Sequence, residues 1–269
     1  MKNARRTYLF FLLSFILILL PLSTSALDLT KLRGTVDDEV IQLIKALPPD
    51  ESYTDTSIVV VLDEKVDEVR PNRTWKSTLH AVFKVIREGG RGYANVEIGY
   101  NARHENVSLE YARTISPEGN IIPLSKEDML VAGPYNNFPS YSNYRVLTFS
   151  LPGVVVGSII EYKVVIEGRR PTIEGEYASS FYFQGNEPIL TSRFKVIAPE
   201  DMDFKYTIGN AGQDIPRTPT VYLDDARRVL TWEYKNMPPI MPEFDMPPLS
   251  DIARNIRITT VGSWNDFVS

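Results

Sequence analysis

Residues 57–69, SIVVVLDEKVDEV, and residues 74–86, TWKSTLHAVFKVI, decide the fold class. Both are crowded with β-branched and aromatic side chains, which fit a pleated, half-buried surface better than a helix. Each contains short stretches of apolar–polar alternation, the period of a strand with one buried face. Between them stands PNR, residues 71–73, where Pro presets one backbone angle and Asn tolerates a left-handed one. The pair predicts a β-hairpin.

The same grammar continues outward through ANVEIGY (94–100), VSLEYARTIS (107–116), SIIEYKVVIEG (158–168), SRFKVIA (192–198) and RVLTWEY (228–234). The connections, among them EGGRG (88–92), SPEGN (116–120) and DDAR (224–227), hold the Gly, Pro, Asp and Asn that turns require. Many short strands without a recurring helix period predict an all-β fold, an antiparallel β-sandwich built as one large unit or two in tandem. GRRPTIEGEYAS (168–179) is the candidate seam. GGRG (89–92) lacks the Lys and Ser/Thr of a phosphate loop and reads as a hairpin turn. One helix precedes the strands: Asp37 and Asp38 open it, Val40, Leu43, Ile44 and Leu47 recur at helical spacing, and Pro48 and Pro49 close it.

Two stretches interrupt the strands. KEDMLVAGPYNNFPSYSNY (126–144) is rich in polar aromatics and reads as a long ordered loop, with Tyr135, Phe138, Tyr141 and Tyr144 as candidate ligand contacts. NMPPIMPEFDMPPLSD (236–251) holds too much Pro for a central strand and reads as an extended strut or as a recognition segment.

The ends carry their own signals. Lys2, Arg5 and Arg6 precede an apolar run from Tyr8 to Leu20, then Pro21 and the small residues STSA, the pattern of a secretory signal peptide cleaved after Ala26. A retained membrane anchor is the alternative, but the run is short of the ~20 residues a span needs. The expected organisation is a signal peptide over 1–26, a helical lead-in over 27–56, a β-sandwich over 57–236, and a Pro/Met-rich strut with a last strand over 237–262. Residues 263–269, SWNDFVS, are expected to start a helix, with Ser263 ahead of the apolar pair Trp264 and Phe267.

Removing residues 1–26 takes three of the 29 basic side chains and none of the 34 acidic ones, leaving a net charge of −8. That balance disfavours nucleic acid and anionic membrane, which both demand a basic footprint. No stable membrane insertion is expected after cleavage. The chain has no Cys, hence no disulfide, no thiolate nucleophile and no Cys-based metal site.

Other chemistry is equally thin. His80 and His104 share no short motif and read as structural or surface residues. Residues around Ser150 do not form the Gly-x-Ser-x-Gly elbow of a hydrolase. The paired carboxylates Asp37/Asp38, Asp63/Glu64 and Asp224/Asp225 are expected in helix starts or turns. Asp201 and Asp203 are too few for a calcium loop. Asn72 and Asn106 stand in Asn-x-Ser/Thr triplets, which matter only in a glycosylating host. No catalytic residue, cofactor or metal ligand set is therefore assigned.

Four ordered segments resemble a known family: SPEGNIIPLSKEDM (116–129), SLPGVVVGSIIEYKVVIEG (150–168), SSFYFQGNEPILTSRFKVIAPEDM (179–202) and LTWEYKNMPPIMPEFDMPP (230–248). They look like the all-β domain of unknown function that precedes a transglutaminase-like core in exported bacterial proteins, and the likeness runs from about Ser57 to the C-terminus. In that family a papain-like core with a Cys–His–Asp triad follows, and its first helix opens with a Ser-Trp pair, as at Ser263 and Trp264. The resemblance implies an accessory β module; with no Cys present, no catalytic residue carries over.

Three readings result. The first is an exported, periplasmic or extracellular, non-catalytic module that packs against or presents substrate to a transglutaminase-like or peptidase-like partner. Its expected docking surface is Met241, Phe244, Met246, Trp264 and Phe267. The second is a free-standing peptide- or glycan-binding protein using the aromatic loop. The third, an enzyme working without Cys, has no cluster of suitable spacing to support it.

Overall fold

A computed structural model describes residues 27, 29–132, 143–171, 173–212 and 216–262, apart from the side chain of residue 126. A 3-10 turn at Leu29–Leu32 and helix α1 (Asp38–Lys45) come first. Asp37 caps α1, its carboxylate accepting the Glu39 N–H at 2.8 Å, so one of the unpaired amides of the first turn is satisfied. Val40, Ile41 and Ile44 face inward.

Fourteen strands follow among the described residues. They are β1 (Ile58–Val69), β2 (Trp75–Val85), β3 (Asn95–Asn101), β4 (Glu105–Ile115), β5 (Ile121–Pro123), β6 (Met129–Ala132) and β7 (Tyr144–Ser150). Then come β8 (Ile159–Gly168), β9 (Ala178–Tyr182), β10 (Ile189–Pro199), β11 (Lys205–Gly209), β12 (Thr220–Asp224), β13 (Arg227–Met237) and β14 (Asn255–Thr259), with the short helix α2 (Leu249–Ile252) just before the last.

The fold is all-β and built in layers. One eight-stranded sheet runs β12-β13-β10-β1-β2-β8-β4-β5, and two three-stranded sheets, β11-β14-β9 and β3-β7-β6, lie over one of its faces. Helix α1 covers part of the opposite face. The two small sheets therefore share one large sheet, each with its own apolar core: Phe181, Phe183, Phe194, Trp232 and Ile256 under the first, Val96, Leu147, Phe149, Ile160 and Val164 under the second. Phe83 touches both.

Strands β1 and β2 form the expected hairpin, closed by a turn in which Arg73 has φ 64°. The ladders are antiparallel except β1 with β10, which run parallel. A parallel neighbour needs a long crossover, and here everything from β2 to β9 lies between the two strands in sequence.

Three local expectations are corrected. GGRG is not a hairpin turn; it lies in a 3-10 segment, Glu88–Ala94, that carries the chain from β2 in the large sheet to β3 in a small one. The segment presses on residue 57: a Cβ added at Gly90 would sit 2.3 Å from the Ser57 carbonyl oxygen, which is why no side chain is accommodated there. Asp63 and Glu64 do not lie in a turn; they sit mid-strand in β1, facing opposite sides of the large sheet. And the stretch read as the aromatic loop opens on a 3-10 turn, Lys126–Asp128, followed by an edge strand, β6, paired with β7.

Candidate functional site

Across the helix-covered face of the large sheet, Glu233, Arg193, Glu64, His80, Lys163 and Tyr111 stand side by side on six successive strands. Arg193 is buried and fully engaged, donating to Glu233 at 2.6 Å, to Glu64 at 3.0 Å and to both carboxylate oxygens of Glu39 on α1. One guanidinium thus ties the helix to the sheet, using the fork geometry that suits carboxylates. Beside it, Glu161 is fully buried and accepts from Arg113 at 2.7 Å and Tyr111 at 2.8 Å, with the His80 ring nitrogen 2.9 Å away. Burial works to raise the Glu161 carboxyl, but the hydrogen bonds from His80, Arg113 and Tyr111 outweigh it and hold the group down at about 2. Arg193 and Glu161 each meet several partners of opposite role, so the two networks tie α1 and the strands of the large sheet together.

The opposite face of β1 carries Asp63, Lys65 and Asp67 between the two apolar cores. Asp67 accepts from Tyr177 at 2.6 Å, from Ser179 at 2.7 Å and from Ser77, and Lys65 donates to Ser179 at 2.7 Å. These bonds fasten β1 to the start of the small sheet that contains β9. Asp63 differs. It has no hydrogen-bond or ion-pair partner among the described residues, and burial pushes its carboxyl up to about 7. On the neighbouring strand β10 its register partner is Ser192, whose buried hydroxyl is also without a partner.

A groove of about 710 Å³ lies on the outer face of β11-β14-β9, within the usual range for ligand sites. Register puts Lys205, Thr259 and Ala178 in one row and Thr207, Arg257 and Ser180 in the next, so cations and hydroxyls alternate across its floor. Ile173, Val261 and Gly262 wall it. Lys205 donates to the Gly262 carbonyl, whereas Arg257 is exposed and has no hydrogen-bond or ion-pair partner among the described residues.

The residues singled out in the sequence fall elsewhere. Phe244 stands at the tip of a turn closed by the Met246 N–H on the Glu243 carbonyl at 3.3 Å, and is 96% exposed. Met241 is exposed on the same strut and Met246 is half-buried, while Trp264 and Phe267 lie outside the described residues. The strut is tied to the loop after β9 by Gln184 to Pro238 and Ile240 to Gly185, each 2.8 Å. Of the candidate ligand loop, Tyr135, Phe138 and Tyr141 lie outside the described residues, and Tyr144 is exposed at the start of β7. His104 sits beside the Arg170 carbonyl at 3.2 Å, distant in sequence and strand from His80.

Arg257 belongs to no motif, and nothing in NIRIT announces it beyond a charge set among apolar residues of a strand. Asp63 had a clearer signal: a charge on each face of a twelve-residue strand, which a central strand rarely tolerates without purpose.

No curated protein matches the sequence. The crystal structure of "a putative protease from Parabacteroides distasonis" is similar, with a TM-score of 0.69 at 14% identity over 78% of this chain and 41% of that one. A mutant M1 zinc metallopeptidase from Deinococcus radiodurans aligns with a TM-score of 0.38 at 11% identity, over 75% and 42%, which carries no argument about this chain. The chain thus spans about two fifths of the length of each of these structures. A family model for a domain of unknown function with a solved structure (DUF3857) matches residues 71–241. The chain belongs to that family.

Proposed function

We propose that this chain is an exported, non-catalytic β module that holds a peptide segment for a transglutaminase-like or peptidase-like core and packs against that core through the Pro/Met strut. The observation that carries the reading is the groove on β11-β14-β9, where a guanidinium without a partner among the described residues lies between apolar walls and a floor of hydroxyls. An extended peptide fills such a groove with side chains against Ile173 and Val261, and a carboxylate on it meets the Arg257 fork bidentately. The exposed Met241 and Phe244 supply adaptable apolar contact for a neighbouring domain. The fold likeness to part of a larger chain supports the architecture of a module; it says nothing of activity.

The test is calorimetric titration of the purified chain with unstructured peptides, each made with a free and with an amidated C-terminus. The free form is expected to bind, and amidation or Arg257→Ala to weaken binding by about tenfold, the value of one charge-assisted pair. Equal binding of both forms would refute the role of Arg257. Cleavage or cross-linking of the peptides by the chain alone would refute the non-catalytic assignment.

A further inference from the structure

We infer that two copies of this chain associate edge to edge through β12, joining their large sheets across a two-fold axis. Strand β12 ends the eight-stranded sheet, and among the described residues no strand pairs with its outer edge. All five of its residues are exposed, with Val221 at 52%, Tyr222 at 53% and Leu223 at 59%. Natural edges are guarded by charge, Pro, bulges or shortness. The opposite end of the same sheet is so guarded, by the three-residue strand β5 that ends in Pro123. The middle of β12 has none of these guards.

The occupant follows from the strand's own order. In antiparallel self-pairing centred on Tyr222, Tyr222 meets its own copy on one face of the sheet. Val221 meets Leu223 of the second copy on the other face, so each central contact is apolar against apolar. Asp224 is ion-paired with Arg227 of its own hairpin at 3.5 Å and faces Thr220 of the second copy in this register, so no like charges meet along the strand.

Backbone parity agrees as well. Strands β12 and β13 are joined by the two residues Asp225 and Ala226, with φ of 45° and 62°, and Asp224 pairs with Arg227. In a two-residue hairpin the pair flanking the turn is hydrogen-bonded, so Asp224, Tyr222 and Thr220 bond inward to β13. Val221 and Leu223 therefore point their N–H and C=O groups outward, and these are the residues that the two-fold register sets opposite each other.

The chain has no Cys, so single introduced thiols report the register directly. Tyr222→Cys is expected to give a disulfide-linked dimer under mild oxidation. Val221→Cys and Leu223→Cys are each expected to stay monomeric alone but to cross-link when mixed, because like residues lie beyond the ~7 Å Cα separation a disulfide spans while unlike ones lie within it. In light scattering over a dilution series, the unmodified chain is expected to double its mass and Leu223→Lys to remain monomeric with an unchanged circular dichroism spectrum. A monomer at every concentration, or cross-linking that ignores position, would overturn the inference. Failure of peptide binding at Arg257 leaves this test untouched, since the two surfaces share no residue.

Discussion

A carboxyl group raised to about 7 costs the fold stability when it ionises in place, and Asp63 is such a group. The native state holds its proton more tightly than the unfolded chain does. The favourable contribution is therefore complete below the unfolded value near 3.8 and is lost as pH rises through about 7. Removing the charge with Asp63→Asn is expected to stabilise the protein by about 1–3 kcal/mol at pH 8 and by less than about 1 kcal/mol at pH 4, read from urea midpoints. Glu161, on the other face of the sheet, runs the opposite way: its carboxyl is depressed to about 2, so its contribution is present above 4.5 and is lost as pH falls toward 2. Neither behaviour can be read from residue type. Asp63 and Glu161 are both carboxylates in strands, but Glu161 is bonded by three donors and Asp63 by none among the described residues.

Strands β1 and β14 lie outside the region matched by the family model, residues 71–241, yet each is central in its sheet. Strand β1 sits between β10 and β2, and β14 between β11 and β9, where Ile256 and Ile258 are buried in the core. Without them, four strands lose a ladder on one side and both sheets are cut in the middle. A fragment of residues 71–241 is expected not to fold, showing no cooperative thermal transition and poorly dispersed amide resonances, while a fragment from Leu27 to Gly262 is expected to melt cooperatively. The hairpin of β1 and β2 was legible because both its partners are adjacent in sequence. The parallel pairing of β1 with β10 was not, since nothing local to either strand records a neighbour more than a hundred residues away.

The two small sheets share one eight-stranded sheet, and Phe83 contacts both cores, so the lobes are expected to unfold together. Ile256→Ala, which empties a fully buried site under one lobe, is expected to cost about 2–5 kcal/mol. Calorimetry should show the single transition moving down whole; a second transition split from the first would mean two independent units. Viewed this way, GRRPTIEGEYAS is the segment that carries the chain from β8 of the shared sheet to β9 of a small one.

Composition and periodicity were enough for the all-β class, the leading hairpin, the helix opening at Asp37 and the absence of thiol chemistry, because each depends on residue type and on neighbours a few positions apart. The partition into one large and two small sheets arose only from long-range pairing, as did the lone Asp63, the exposed Arg257 and the open edge of β12. Whether a charge is matched, or an edge covered, depends on which distant strand comes to lie beside it, and that choice is made by packing of the whole chain.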